Sequence, residues 1–251
     1  MEPILRATGV SKRFGSVTAA DGLHVAAAGE VIGIVGANGA GKTVFVNMIT
    51  GYEKPTAGTI TFEGRDITRL APHQVTRLGI ARSFQISQIF PSMTVFENVS
   101  LALAIHRNSG AALMRRVLTA DLVAAADDLL ERFGLRAERD RRARELPQGA
   151  RKLLDIAMAF VGRPRVLLLD EPTSGISAEE KFPFMSRVLE ALSRDKATVF
   201  IVEHDMDIIQ AFASRVLAFA QGRIICDARP EEAMRHPDVI THVLGTGHAG
   251  H

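Results

Sequence analysis

The sequence predicts an α/β protein in which helices cover both faces of a mostly parallel sheet, with a helical insertion at about residues 86–150. Three observations predict it. In the last third, apolar runs at residues 166–169, 198–202 and 215–219 are separated by helical patterns, the alternation that builds parallel sheets. Near the start, an apolar run at 31–35 passes through a glycine-rich stretch directly into a helical pattern at about 42–50. In the middle, the apolar spacing changes to a helical period.

Taken in order, the chain begins β-rich. Residues 23–25 and 31–35 read as strands, and Lys54-Pro55-Thr56-Ala57-Gly58 reads as a turn. Residues 59–63 combine β-branched and aromatic side chains and stop at Gly64. Residues 94–106 and 121–133 read as helices. In the second, Leu122, Val123, Ala126, Leu129, Leu130 and Phe133 recur at helical spacing, and Gly134 suits a C-terminal cap. Residues 136–145 form a charged connection. A helix at 150–161 ends at Gly162-Arg163-Pro164, and a last strand at 223–226 follows Gln221-Gly222.

At 251 residues the chain suits one domain, or one core with an inserted subdomain. With 30 basic and 28 acidic residues its net charge is +2. That balance argues against nucleic acid or an anionic membrane as the main partner. No secretory leader is visible in residues 1–10, and no run approaches the roughly 18–20 apolar residues of a membrane helix. A soluble or at most peripheral protein is expected. The single cysteine, Cys226, rules out an intrachain disulfide and a cysteine-cluster metal site.

Gly36-Ala37-Asn38-Gly39-Ala40-Gly41-Lys42-Thr43 matches G-x-x-x-x-G-K-[ST] in full. Its setting between an apolar strand and a helix is the one the motif needs. Glycines let backbone N–H groups converge on an anion, and the helix N-terminus adds partial positive charge. Lys42 suits the β- and γ-phosphates, and the Thr43 hydroxyl suits Mg²⁺. A chance glycine-rich turn of this pattern arises in roughly one such chain in a hundred, so nucleotide binding is the expectation.

The run at 166–169 ends in Asp170-Glu171. Behind a phosphate loop, the first carboxylate suits Mg²⁺ and the second suits the attacking water. The run at 198–202 ends in Glu203-His204-Asp205. Ligands of open parallel sheets sit at the carboxyl ends of strands. Gly36, Asp170 and His204 therefore fall at one edge, where His204 suits contact with a γ-phosphate.

On these residues the chain resembles the ATPase subunits of ABC transporters over nearly its whole length. Asp170-Glu171-Pro172-Thr173-Ser174 is similar to their Mg²⁺ and catalytic-glutamate segment, and His204 to their switch histidine. Gln85, in Arg82-Ser83-Phe84-Gln85, resembles the glutamine that ligates Mg²⁺ and leads into the helical subdomain. Phe14 resembles the aromatic that stacks on adenine; a buried strand residue is the alternative. The resemblance implies a phosphate-loop ABC ATPase core with a mostly parallel sheet and an N-terminal antiparallel portion. It assigns residues 1–85 and 151–251 to the core and 86–150 to the helical subdomain.

Two stretches depart from the family pattern. Leu-Ser-Gly-Gly-Gln reads here Leu146-Pro147-Gln148-Gly149-Ala150. In the family this segment opens a helix that faces the γ-phosphate held by a partner subunit. Proline is tolerated in a first helical turn but removes one N–H, and the serine hydroxyl is gone. The Gln148 amide is the expected replacement donor, beside Gly149. After the acidic pair, Ser174-Gly175-Ile176-Ser177 carries serine where the family usually has aspartate.

The resemblance is closest to the ATPases of branched-chain amino acid and urea uptake, through residues 90–99 and 230–245; Val243 replaces their usual tyrosine. It implies ATP and Mg²⁺ as cofactors and a head-to-tail pairing with a second, identical or paralogous ATPase subunit. It also implies permease subunits, an indirect link to an extracytoplasmic solute-binding protein, and a place on the cytoplasmic face of the membrane. Three alternatives stay open. They are a non-transport ABC ATPase of DNA repair or chromosome organisation, a phosphate-loop kinase, and a weakly hydrolysing regulatory subunit. No heptad run favours the first, and no acceptor site marks the second.

Overall fold

In the computed structural model the described residues are 2–83, 89–107 and 119–244. In chain order the strands and helices are β1 (Leu5–Phe14), β2 (Val17–Ala27), β3 (Val31–Gly36), α1 (Lys42–Ile49), β4 (Ala57–Phe62), β5 (Arg65–Asp66), α2 (Pro72–Leu78) and β6 (Ile80–Ser83). Then come α3 (Val95–His106), α4 (Ala120–Arg132), α5 (Gln148–Ala159), β7 (Val166–Asp170), α6 (Ala178–Ser193), β8 (Thr198–Val202), α7 (Met206–Phe212), β9 (Arg215–Ala220) and β10 (Arg223–Ala228). Short helical turns follow to Leu244.

The chain divides into two compact units. One holds residues 1–81, 165–171 and 196–251; the other holds 82–164 and 172–195. The helical unit so drawn includes α6 as well as α3, α4 and α5.

The first unit carries two sheets. An antiparallel one has the order β2-β1-β4-β5, and a six-stranded one has the order β10-β9-β3-β8-β7-β6. In the larger sheet β9, β3, β8 and β7 run parallel, and β10 closes the edge antiparallel to β9. Its central strands are apolar on both faces, with Ile32, Ile34, Leu167, Leu168, Phe200 and Ile201 fully buried, as a doubly covered parallel sheet requires. From α1, Phe45 packs its ring 5.5 Å from that of Phe219 on β9. The expected turn at 54–58 is shorter than its composition suggests, because β4 starts at Ala57. Gly58 lies within the strand at φ +83, and a Cβ there would sit 2.3 Å from the Gly9 carbonyl. The bulge in β1 between Thr8 and Ser11 brings the two backbones that close.

In the second unit, α3 begins at a reciprocal cap. The Thr94 hydroxyl accepts from Glu97 N–H (3.1 Å), and the Glu97 carboxylate accepts from Thr94 N–H (2.7 Å). The end of α4 lies at Gly134, φ +67, where the N–H groups of Leu135 and Gly134 reach the carbonyls of Leu130 (2.7 Å) and Glu131 (3.0 Å). Arg132 binds the Ala191 carbonyl and Asp195 and lies 4.8 Å over the Phe160 ring. It thereby joins the ends of α4, α5 and α6. The charged connection is tied down. Arg136 and Arg139 both bind Asp127 on α4, Arg139 stacks 3.9 Å over Phe96, and Arg141 pairs with Glu138 (2.6 Å). Among the described residues no helix is long and apolar enough to cross a membrane.

Candidate functional site

The phosphate loop runs from the buried end of β3 into α1. Gly36 has φ +150, and a Cβ there would meet the Phe219 carbonyl at 2.4 Å. Gly41, the residue before α1, has φ +104, and a Cβ would meet the Ala19 carbonyl at 2.7 Å and the Gly222 Cα at 3.2 Å. Only glycine meets both the conformation and the close approach. From behind, Gly222 N–H donates to the Ala40 carbonyl (3.0 Å), and Asp21 N–H donates to the Gly222 carbonyl (2.9 Å). The left-handed turn Gln221-Gly222 is thus a backstop for the loop. Residues 37–39 remain exposed.

Gly41 supplies no side-chain cap to α1, so the first-turn N–H groups at Lys42 and Thr43 have no intrahelical acceptor. The Lys42 ammonium folds back to the carbonyls of Gly36 and Ala37, the latter at 3.0 Å. Burial lowers its pKa below the ordinary lysine value, and the nearby carboxylates of Glu171 and Asp170 oppose that shift.

Strands β3, β7 and β8 are neighbours in the sheet, so their carboxyl ends deliver Gly36, Asp170 and Glu203-His204 to one edge. Asp170 is the last residue of β7. Glu171 follows at φ +47, a left-handed conformation that costs a non-glycine residue energy, with its N–H held by the Val202 carbonyl (2.9 Å). This bend carries its carboxylate to 3.4 Å from Nε2 of His204. The Glu203 side chain is 4 % exposed and accepts the His204 N–H at 3.2 Å. Asp205 caps α7 by accepting from Asp207 N–H (3.2 Å).

Phe14 ends β1 with 46 % of its surface exposed, which excludes the buried-strand alternative. Lys12, held by Glu53 and the Lys54 carbonyl, sits 4.8 Å from the ring centroid. Gln85 lies outside the described residues.

In the second unit α5 starts at Gln148, two residues earlier than its pattern suggests, with Pro147 as the residue just before the helix. The N–H that proline lacks therefore lies outside the helix, and the first-turn donors of Gln148, Gly149 and Ala150 all remain. A Cβ at Gly149 would meet nothing within 4 Å, whereas one at Gly175 would lie 2.1 Å from Nε2 of Gln148. Sequence reasoning missed Glu203, Ala19 and Gly222. A glutamate after an apolar strand gives no sign that it is buried, and the two backbone supports leave no side-chain signature; the Gln221-Gly222 pair between the last two strands was the one readable hint.

A glycine-lined anion loop with a lysine, an acidic strand end and a histidine at one sheet edge defines the class of phosphate-loop nucleotide-binding proteins. The profile of the ABC transporter family matches residues 24–174. The chain is 33% identical over 253 residues to the high-affinity branched-chain amino acid transport ATP-binding protein LivG of Salmonella typhimurium, covering 97% of this chain and 98% of that one. It is equally 33% identical over 250 residues to BraF of Pseudomonas aeruginosa, which carries the same description, with the same coverage. A crystal structure of an ATP-binding cassette of an ABC transporter in its ADP conformation superimposes with a TM-score of 0.83 at 30% identity, covering 95% of this chain and 97% of that one. The chain belongs to the ABC transporter family, as an ATP-binding, ATP-hydrolysing subunit.

Proposed function

We propose that this chain drives an ABC importer of branched-chain or related amino acids from the cytoplasmic face of the membrane. The observation that carries the reading is the end-to-end match to branched-chain amino acid transport ATP-binding proteins at 33% identity. The arginine-rich connection lends no support to a nucleic-acid role, since Arg136, Arg139 and Arg141 are engaged by the chain's own carboxylates.

In this reading the N–H groups of residues 37–43 wrap the β- and γ-phosphates of ATP, and Lys42 exchanges its two carbonyl partners for phosphate oxygens. The adenine stacks on the open face of Phe14. The described residues contain no cluster of three or more His, Cys, Asp or Glu fit to hold a metal alone. The oxygen donors Thr43 and Asp170, completed by Gln85 and phosphate oxygens, suit Mg²⁺, which neutralises charge on the phosphates. Glu171 orients and polarises the attacking water. His204, positioned by Glu203 and Glu171, contacts the γ-phosphate.

The second half of the site comes from another subunit, identical or paralogous, arranged head to tail. There the α5 N-terminus presents the donors of Gln148, Gly149 and Ala150 to the γ-phosphate. Permease subunits dock near the segment after Gln85, and an extracytoplasmic solute-binding protein acts through them. Glu171→Gln should lower ATP turnover by roughly a hundredfold or more while ATP affinity stays within a few-fold. Wild-type turnover in that variant removes Glu171 from the chemistry. Loss of the chain from its host should abolish high-affinity uptake of labelled leucine; retained uptake overturns the amino-acid assignment.

A further inference from the structure

The two stretches at which this chain departs from the family pattern lie far apart in sequence and touch in space. Gln148 opens α5; Gly175 belongs to the segment that follows the acidic pair. Nε2 of Gln148 occupies the place that a Cβ on Gly175 would take, at 2.1 Å. One turn further along α5, the Lys152 ammonium donates to the Pro172 carbonyl at 3.1 Å. Residues 172–176 are otherwise pinned from below: Pro172, Thr173 and Ile176 are buried, and Ile176 N–H closes a turn onto the Thr173 carbonyl at 3.1 Å. Ser174 and Gly175 form its exposed crown, with Gly175 at φ +74. Glycine serves there twice, by taking the left-handed conformation and by leaving room for the amide.

We propose that the Gln148 side chain is a positioning group, a tether within one subunit that fixes the crown of the 173–176 turn to the N-terminus of α5. The reasoning is steric and entropic. A glutamine at the first position of a helix, on an exposed surface, has many rotamers. This one is laid across Gly175, which has no side chain to displace it. The turn begins two residues after Glu171, so a fixed crown limits the motion of the chain that carries the proposed catalytic carboxylate. The phosphate-facing donors of this helix end are then its backbone N–H groups alone.

The inference rests on the ATPase reading above, and a double-mutant cycle separates the two. In the purified full-length chain, Gln148→Ala should raise hydrogen exchange of the residue 174–177 amides roughly three- to tenfold. Gly175→Ala should do the same, because its methyl expels the amide. The double variant should exceed neither single one, since the second change then removes nothing further. Under ATP turnover both single variants should lower kcat by a similar few-fold factor with KM unchanged. Two results overturn the tether: additive exchange effects, or a fall in kcat confined to Gln148→Ala with exchange unaltered, which marks the amide as a phosphate donor. Absence of ATP turnover in the unsubstituted chain sinks the underlying reading instead, whatever the exchange shows.

Discussion

Phe14 closes β1 with its ring nearly half in solvent and a lysine at 4.8 Å from one face. A ring left in water at a strand end contributes little to the core, so its worth lies in what it stacks against. Phe14→Ala should raise KM for ATP roughly five- to tenfold and lower kcat far less, whereas Phe14→Tyr should keep the affinity. A KM unchanged in Phe14→Ala removes the adenine platform. Lys42 and Glu171 were legible from motif and spacing. The left-handed backbone of Glu171 was not, because its N–H is held by Val202 on the neighbouring strand. Glu203 was invisible for the same reason. Its burial comes from β8 lying between β3 and β7.

At the scale of the element, helix ends were read well where caps are local. Thr94 with Glu97, and Gly134 with Leu135, satisfy their own backbone groups within a few residues. The ten-residue β1 escaped notice, as did the shorter β5, α2 and β6. Pro72 and Gly79 frame α2 as a start and a stop signal, but seven residues hold little periodicity. In α6, Pro183 removes one intrahelical bond, a cost of about 3 kcal/mol; the helix continues because Phe184, Met185, Val188, Ala191 and Leu192 bury its other side. The connection at 136–145 reads in the sequence as a charged stretch, and its structure is a clamp. The Arg136 side chain, then Arg139, holds the Asp127 carboxyl below the usual aspartate pKa. A depressed folded pKa gives stability that is present above the unfolded pKa of about 4 and lost as pH falls through the folded value. Asp127→Ala should cost about 1 kcal/mol at pH 7, with the difference from wild type shrinking below pH 4. A pH-independent difference in denaturant midpoint would show that packing, not charge, is responsible.

For the whole molecule, the nucleotide loop and the α5 N-terminus sit on different compact units. Residues 36–43, 170–171 and 203–204 belong to one, and 146–150 to the other. The proposed pairing of two subunits makes a further demand. Glu171→Gln should dimerise with ATP and remain monomeric with ADP or without nucleotide, measured by sedimentation at micromolar chain. A phosphate-loop kinase has no need of such a dimer. A monomer at saturating ATP counts against head-to-tail closure.

The sequence by itself determined the phosphate loop, the acidic strand end, the strand histidine and the α/β alternation. Each is written in a contiguous stretch whose spacing is its physics: glycines before a helix, carboxylates after an apolar strand, residues recurring every 3.6 or 2 positions. Only the tertiary structure decided what lies behind those stretches. It placed Gly222 and Ala19 against the loop, His204 beside Glu171, and Gln148 across Gly175. Such contacts join positions tens to hundreds of residues apart, and several are made by backbone atoms that every residue shares, so no local pattern can encode them.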